Sequence, residues 1–282
     1  MKRLCLILTL TAMVATPAFS QQSAPEIPFE SLPRPLKYSP DMNLGEILGI
    51  AVNSVGHIVI LNHPGSANQG PIWSNSTTQL LEFDQDGYYV GEIGKGVYGI
   101  AYAHQVRFDD EDNLWVVDKA ANTVIKFDPD GYVSMNLGRR EEGYHGDVEL
   151  PNQREARAVG GYFNGPTDVA WDPDGNIFVS DGYVNSRMVK FDMNGNFLMD
   201  WGSYGSDIGQ FNLPHTMQAD REGNIYVGDR SNRRIQVFDS DGNFLRVLLM
   251  NVPYPADYQP PYTAINPNRR LPDATQPWSM CI

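Results

Sequence analysis

The stretch from Phe163 to Gly242 is built on one unit used twice. FNGPTDVAWDPDGNIFVSDGYVNSRMVKFDMNGNFLMDWG is followed by FNLPHTMQADREGNIYVGDRSNRRIQVFDSDGNFLRVLL. Phe191 returns as Phe238, 47 residues later, and Asn176 returns as Asn224, 48 residues later. Each unit reads as four short apolar runs separated by polar links. Turns carry Asp-Gly, Asn-Gly or Glu-Gly, pairs that supply positive φ for hairpins. A four-stranded unit cannot bury both faces alone, so neighbouring copies must complete the core. A repeat of roughly 40 to 50 residues with several strands per copy is the signature of a β-propeller blade.

Two more copies precede these. The first blade spans about 44–94, with an insertion at 63–78, and the second about 101–138. The third and fourth span about 163–202 and 211–249. The third-strand motif appears four times, as LLEFDQDG, VIKFDPDG, MVKFDMNG and IQVFDSDG. An Arg-, Glu- and Gly-rich insertion at 139–161 has no strand pattern and reads as a loop over one mouth of the propeller. After Met250 the pattern stops, and a Pro-rich segment leads to Trp278, which reads as the start of a fifth blade. A ring closes only when its last blade packs on its first. The sequence is therefore expected to be part of a six-bladed protein, the other reading being a finished four-bladed ring with an ordered tail.

The start of the chain is a different object. Lys2 and Arg3 precede an apolar run from Leu4 to Val14, and Ala18-Phe19-Ser20 forms a small-x-small site. This pattern predicts a signal peptide over 1–20, cleaved before Gln21, and export to a bacterial periplasm or the cell exterior. Residues 21–43 read as a Pro-rich arm leading into a propeller domain over 44–282. Removing Lys2 and Arg3 takes the formal charge from −13 to −15. So acidic a surface argues against nucleic acid and, after signal cleavage, against anionic membranes as partners. Cys281 alone then remains of the two cysteines, and no intramolecular disulfide can form.

Equivalent positions in each blade converge on the propeller axis. Two residues before the first-strand apolar residue stand Leu48, His104, Thr167 and His215 in blades one to four. His104 and His215 thus project into one channel although 111 residues separate them. Two converging imidazoles suit a metal, zinc commonly taking three protein ligands and an open position. The bland reading is two polar channel-lining side chains. Asp118, Asp181 and Asp229 recur at another shared position and are expected to bond to backbone turns.

SDGYVNSR, FNLPHTMQ and GDRSNRRIQVF together resemble the peptidyl-α-hydroxyglycine α-amidating lyase family, six-bladed propellers of the NHL-repeat class. The resemblance covers about 44–249 and is tightest from Pro166 to Phe238. It implies a carbon–nitrogen lyase that splits a peptide carbinolamide into an amide and glyoxylate. By the same resemblance, His104 and His215 are two of three zinc-binding histidines, the third lying outside this sequence. Tyr183 is the base on the substrate hydroxyl, and Arg230 is an active-site arginine. The Val106 carbonyl would contribute to a structural calcium. Two departures stand out: Pro64 occupies the place of a second family arginine, and Val184 that of a family cysteine. The competing function is a non-catalytic NHL propeller that binds a peptide, a glycan or a protein. A lactonase-like metal hydrolase would need a carboxylate-rich axis, and Asp168 is the only acid near that position.

Overall fold

A computed structural model describes residues 28, 30–64, 78–97, 99–139, 160–250, 276, 277 and 280. The chain divides into two units, Met1–Arg34 and Pro35–Ile282. The expected signal peptide lies outside the described residues, as do most of the two insertions and all of the expected fifth-blade start except Met280. No helix among the described residues is long and apolar enough to cross a membrane.

The second unit is all-β, as the repeats predict. It contains four four-stranded sheets, each a simple antiparallel meander. The first holds β1 (Glu46–Val52), β2 (Ile58–His63), β3 (Gln79–Phe83) and β4 (Tyr89–Ile93). The second holds β5 (Ala103–Phe108), β6 (Leu114–Asp118), β7 (Thr123–Phe127) and β8 (Val133–Gly138). The third runs through β9 (Asp168–Trp171), β10 (Ile177–Asp181), β11 (Arg187–Phe191) and β12 (Phe197–Trp201). The fourth runs through β13 (Pro214–Ala219), β14 (Ile225–Asp229), β15 (Arg234–Phe238) and β16 (Phe244–Leu249). The first strand of each sheet neighbours the first strand of the next, β1 beside β5, β5 beside β9 and β9 beside β13. This is the propeller arrangement.

Burial follows strand position. The second strands, LWVVD and IFVSD among them, are buried on both faces, while the fourth strands β4, β12 and β16 are largely exposed. Alternation along the second strand explains how one blade serves two neighbours. Leu114 and Val116 join Val59, Leu61 and Leu80 in the core between the first two sheets. Trp115 and Val117 point the other way and pack with Val169, Ile177 and Val179 of the third. Phe178 faces Met217, Val227 and Phe238 of the fourth. Each fully buried apolar side chain contributes about 1.5–3 kcal/mol, so these interfaces dominate stability. Only the residues between sheets do this, which is why a single unit has no core of its own.

The hairpins are wider than two-residue turns. Asp172 N donates to Asn176 O, leaving three residues in the loop, and Gly175 adopts φ +80°. This is the three-residue loop closed by a left-handed residue. The Asp172 side chain accepts from the amides of Asp174 and Asn176, and Asn176 Nδ2 donates back to it. The sequence Asp-x-x-Gly-Asn is therefore a turn motif with each polar atom accounted for. In the second sheet Asp112 replaces the glycine at φ +60°, a conformation that Asp tolerates better than most residues.

The recurring aspartates at the ends of second strands are buried caps, as expected. Asp118 accepts from the amides of Ala101, Tyr102, Ala120 and Ala121. Asp181 accepts from Asn164 N, Asn185 Nδ2 and Arg187 Nε, and Asp229 from Asn212 N, Asn232 Nδ2 and Arg234 Nε. Asn62 takes this place in the first sheet and accepts from Gly45 N. Burial pushes the carboxyls of Asp118, Asp181 and Asp229 up, and their hydrogen bonds oppose it. Asp118→Ala leaves four amides without their acceptor and is expected to cost about 3 kcal/mol, since each buried unsatisfied group costs about 1–3 kcal/mol and some amides will rebond. Asp118→Asn keeps one acceptor oxygen, as Asn62 does, and should cost about half as much. Urea unfolding of both variants checks this; equal losses would show that the cap acts through charge rather than acceptor count.

Candidate active site

His104 and His215 sit on backbone irregularities of the innermost strands. Ala103 pairs with Asp118 and Gln105 with Val117, so His104 is an extra residue in β5. Pro214 pairs with Asp229 and Thr216 with Gly228, so His215 is the extra residue in β13. Such bulges turn one side chain away from the pleat. Leu48 sits at the corresponding shift in β1. The two Nε2 atoms lie 3.2 Å apart, with ring centroids at 4.7 Å. The repeat position that selects these histidines in the sequence thus corresponds to two side chains in contact.

Thr167, the same repeat position in the third blade, orients His104. Its carbonyl accepts from His104 Nδ1 at 2.8 Å, so the proton is on Nδ1 and Nε2 presents a lone pair. Burial, with His215 beside it, pushes the His104 imidazole down to about 3. At neutral pH it is an uncharged base aimed at His215 and Tyr183. Tetrahedral zinc with bonds of 2.0–2.1 Å separates its nitrogen ligands by about 3.3 Å. The neutral ring, the free lone pair and the Nε2 spacing fit two members of a metal ligand set. Among the described residues no group of three His, Cys, Asp or Glu completes one. Val106, the residue expected to serve calcium, lies on β5 with its side chain in the core between the first two sheets.

Tyr183 reaches the pair from the β10–β11 link. Its Oη donates to His104 Nε2 at 3.2 Å, and its ring stands edge-on to both imidazoles. Gly182, just before it, passes so close to the fourth sheet that a Cβ there would lie 1.9 Å from Pro214 O. Burial pushes the Tyr183 phenol up, and Arg230 pulls it down. The phenol is therefore protonated at neutral pH unless something bound stabilises its anion. Arg230 is anchored by its amide to Leu213 O and by Nε to Gln276 Oε1, 3.4 Å away. Its influence on Tyr183 places it at the same rim.

Further polar side chains line the same open cleft of about 1700 Å³, among them Glu46, Tyr102, Arg107 and Lys119. Lys119 Nζ lies over the rings of Tyr102 and Tyr183, at 4.7 and 4.9 Å. Tyr102 donates to Glu46 and packs its ring against buried His63 at 4.1 Å. Asp168 is the axial acid the sequence singles out, and it is engaged by Arg107 through Nε and Nη2, both at 2.7 Å. Reading Asp118-Lys119 against Asp229-Arg230 would have found Lys119. Arg107 and Glu46 have no counterpart at their repeat positions that marks them out.

The family model for the NHL repeat matches residues 163–191 and 211–238. A probable peptidyl-α-hydroxyglycine α-amidating lyase of Caenorhabditis elegans is 29% identical over 72% of this chain and 58% of its own length. Peptidyl-glycine α-amidating monooxygenase A of Xenopus laevis is 32% identical over 74% of this chain and 23% of its own. NHL repeat-containing protein 3 of Homo sapiens is 28% identical over 72% of this chain and 54% of its own. The chain thus spans between about a quarter and three fifths of these relatives. Among solved structures, that of streptogramin B lyase aligns with a TM-score of 0.51 and 12% identity over 74% of this chain and 56% of that one, a likeness of fold.

The histidines make stability pH-dependent. Burial holds His63 near 4 and His104 near 3, below the ordinary 6.5, so on unfolding both take up protons once the pH is below 6.5. Their contribution is present above pH 6.5 and is lost as pH falls towards 4 and 3. For His63 the full loss is about 3 kcal/mol at most. Between pH 7 and 4.5, chelator-treated wild type should lose about 2 kcal/mol more than His63→Gln, measured by urea unfolding. Parallel losses would refute a buried neutral His63.

Proposed function

The chain is an NHL-repeat propeller homologous to the peptidyl-α-hydroxyglycine α-amidating lyases, and from that premise we propose that it is a carbon–nitrogen lyase acting on a carbinolamide. The observation that carries the reading is the contact of three side chains from three blades: His104 Nε2 lies 3.2 Å from both His215 Nε2 and Tyr183 Oη. In this reading the substrate is a peptide or small amide ending in α-hydroxyglycine, and the products are the amide and glyoxylate. The protein would act after export, outside the cytoplasm.

The chain's own residues divide the work. His104 and His215 would hold zinc, which when bound supplies a Lewis acid for the substrate hydroxyl or carboxylate. Thr167 keeps the His104 lone pair turned towards the cleft. Tyr183 is placed to take the proton of the substrate hydroxyl as that carbon becomes an aldehyde and its bond to nitrogen breaks. The same phenol can return the proton to the departing amide nitrogen, so one group serves both halves. Arg230 offsets the burial that disfavours the phenolate, and its guanidinium suits a carboxylate. A calcium ion at the Val106 carbonyl belongs to the same proposal.

The alternative is a non-catalytic propeller that binds a peptide, glycan or protein partner. It draws on the comparable similarity to NHL repeat-containing protein 3 and on Pro64 at the place of an expected arginine. Metal analysis and turnover separate the two. About one zinc per chain should be present in wild type and absent from the His104→Ala/His215→Ala double variant. Wild type should release glyoxylate from an N-acyl-α-hydroxyglycine, and Tyr183→Phe should lower kcat about 100-fold or more. Purified protein with neither zinc nor glyoxylate release would leave the binding propeller as the better account.

A further inference from the structure

One repeat position directly follows the polar cap of each second strand. It is occupied by His63 after Asn62, Lys119 after Asp118, Gly182 after Asp181 and Arg230 after Asp229. Strand pairing puts it beside the histidine bulges, because Asp118 pairs with Ala103 and Asp229 with Pro214. The third blade cannot carry a side chain there, since a Cβ on Gly182 would strike Pro214 O. Tyr183, the next residue, instead enters the space that Lys119 and Arg230 border.

Lys119 is the unusual member. Its ammonium is half-buried, and its contacts are the faces of Tyr102 and Tyr183. Among the described residues no carboxylate lies within ion-pair distance of Lys119; Glu46 and Asp118 act on it only at longer range. Burial pulls the ammonium down, and the Arg230 charge adds to that. A half-buried cation facing a second cation across one tyrosine is electrostatically incomplete. An anion in the cleft completes it, and the two rings hold the Lys119 stem in readiness.

We infer that Lys119 and Arg230 form a carboxylate subsite beside the histidine pair, and that Lys119 sets a preference for ligands with a free carboxylate. A carboxylate held there brings the adjoining carbon alongside Tyr183 Oη, the atom in contact with His104 Nε2. The identity of the ligand as an α-hydroxyglycine rests on the lyase reading. The subsite itself rests on the geometry of Lys119, Tyr183 and Arg230. Lys119 acts here as a positioning and specificity residue.

The test uses the purified chain and two peptides that are not turned over, one ending in glycine with a free carboxylate and the same peptide amidated. Isothermal titration should show about tenfold or greater preference for the free carboxylate, consistent with one charge-assisted contact. In Lys119→Met, which keeps the apolar stem between the rings, the preference should vanish while the amidated peptide binds as before. Lys119→Arg should restore it to within about threefold. On wild type alone, raising salt from about 50 to about 500 mM should weaken the free peptide and not the amidated one, a readout independent of how the variants fold. Equal binding of both peptides, no measurable binding of the free one, a salt-insensitive preference, or a preference retained in Lys119→Met would overturn the inference. Loss of the lyase reading alone appears differently: no glyoxylate from an N-acyl-α-hydroxyglycine, with the peptide preference intact.

Discussion

One buried carboxylate, Asp168, fixes the inner strands of three blades. It accepts from Arg107 Nε and Nη2 on β5, from Thr216 Oγ1 and Met217 N on β13, and from its neighbour Val169 N. Arg107 Nη2 also donates to Met217 O, closing the link between β5 and β13. The Asp168 side chain is fully buried and that of Arg107 nearly so. Such a pair adds little net stability relative to an apolar pair of the same shape, because desolvation cancels most of the attraction. Its importance is in the cost of breaking it, about 3–5 kcal/mol when one partner is lost, which makes any other alignment of the three strands unfavourable. Arg107 lies three residues after His104, and Thr216 directly follows His215. The 3.2 Å approach of the two imidazoles is therefore a product of strand alignment, held by an ion pair that itself takes no part in the proposed chemistry.

The same physics decides which acids are available to a ligand. Asp118, Asp181 and Asp229 are saturated by backbone and side-chain donors, and Asp168 is saturated by Arg107 and β13. Burial raises the first three, yet each has its partners already, so a perturbed carboxyl here marks a cap rather than a reacting group. The histidines differ. Thr167 occupies only one nitrogen of His104, and the other faces the cleft. Where a lone pair is left pointing at open space, chemistry is possible.

Much of this was legible in the residues. The repeat period marks out the four sheets, because hairpin turns and apolar runs are local and recur in register. His104 and His215 were legible for the same reason, since aligning repeats converts a separation of 111 residues into adjacency. Tyr183 and Arg230 came from motif resemblance, and the structure brings Tyr183 into direct contact with His104. Lys119, Glu46 and the Arg107–Asp168 pair were harder to see. Their roles come from contacts between different repeat positions in different blades, and periodicity is blind to those. Asn62 hides the first-blade cap behind a change of residue type, although it performs part of the same hydrogen bonding. The open pull of burial against Arg230 on Tyr183 likewise depends on depth, which no spacing reveals.

The bulges have an effect beyond aiming two rings. An extra residue in an inner strand belongs to neither face of the sheet, so its side chain takes no part in the interlocking between blades. In this one chain that slot holds leucine at 48 and histidine at 104 and 215, while the valines and phenylalanines around it barely change in character. The fold thus separates two kinds of inheritance within a single strand: positions answerable to packing, and one position answerable to whatever occupies the axis. A repeat protein made this way can acquire or lose a chemical function by editing a few slots, with its architecture left untouched.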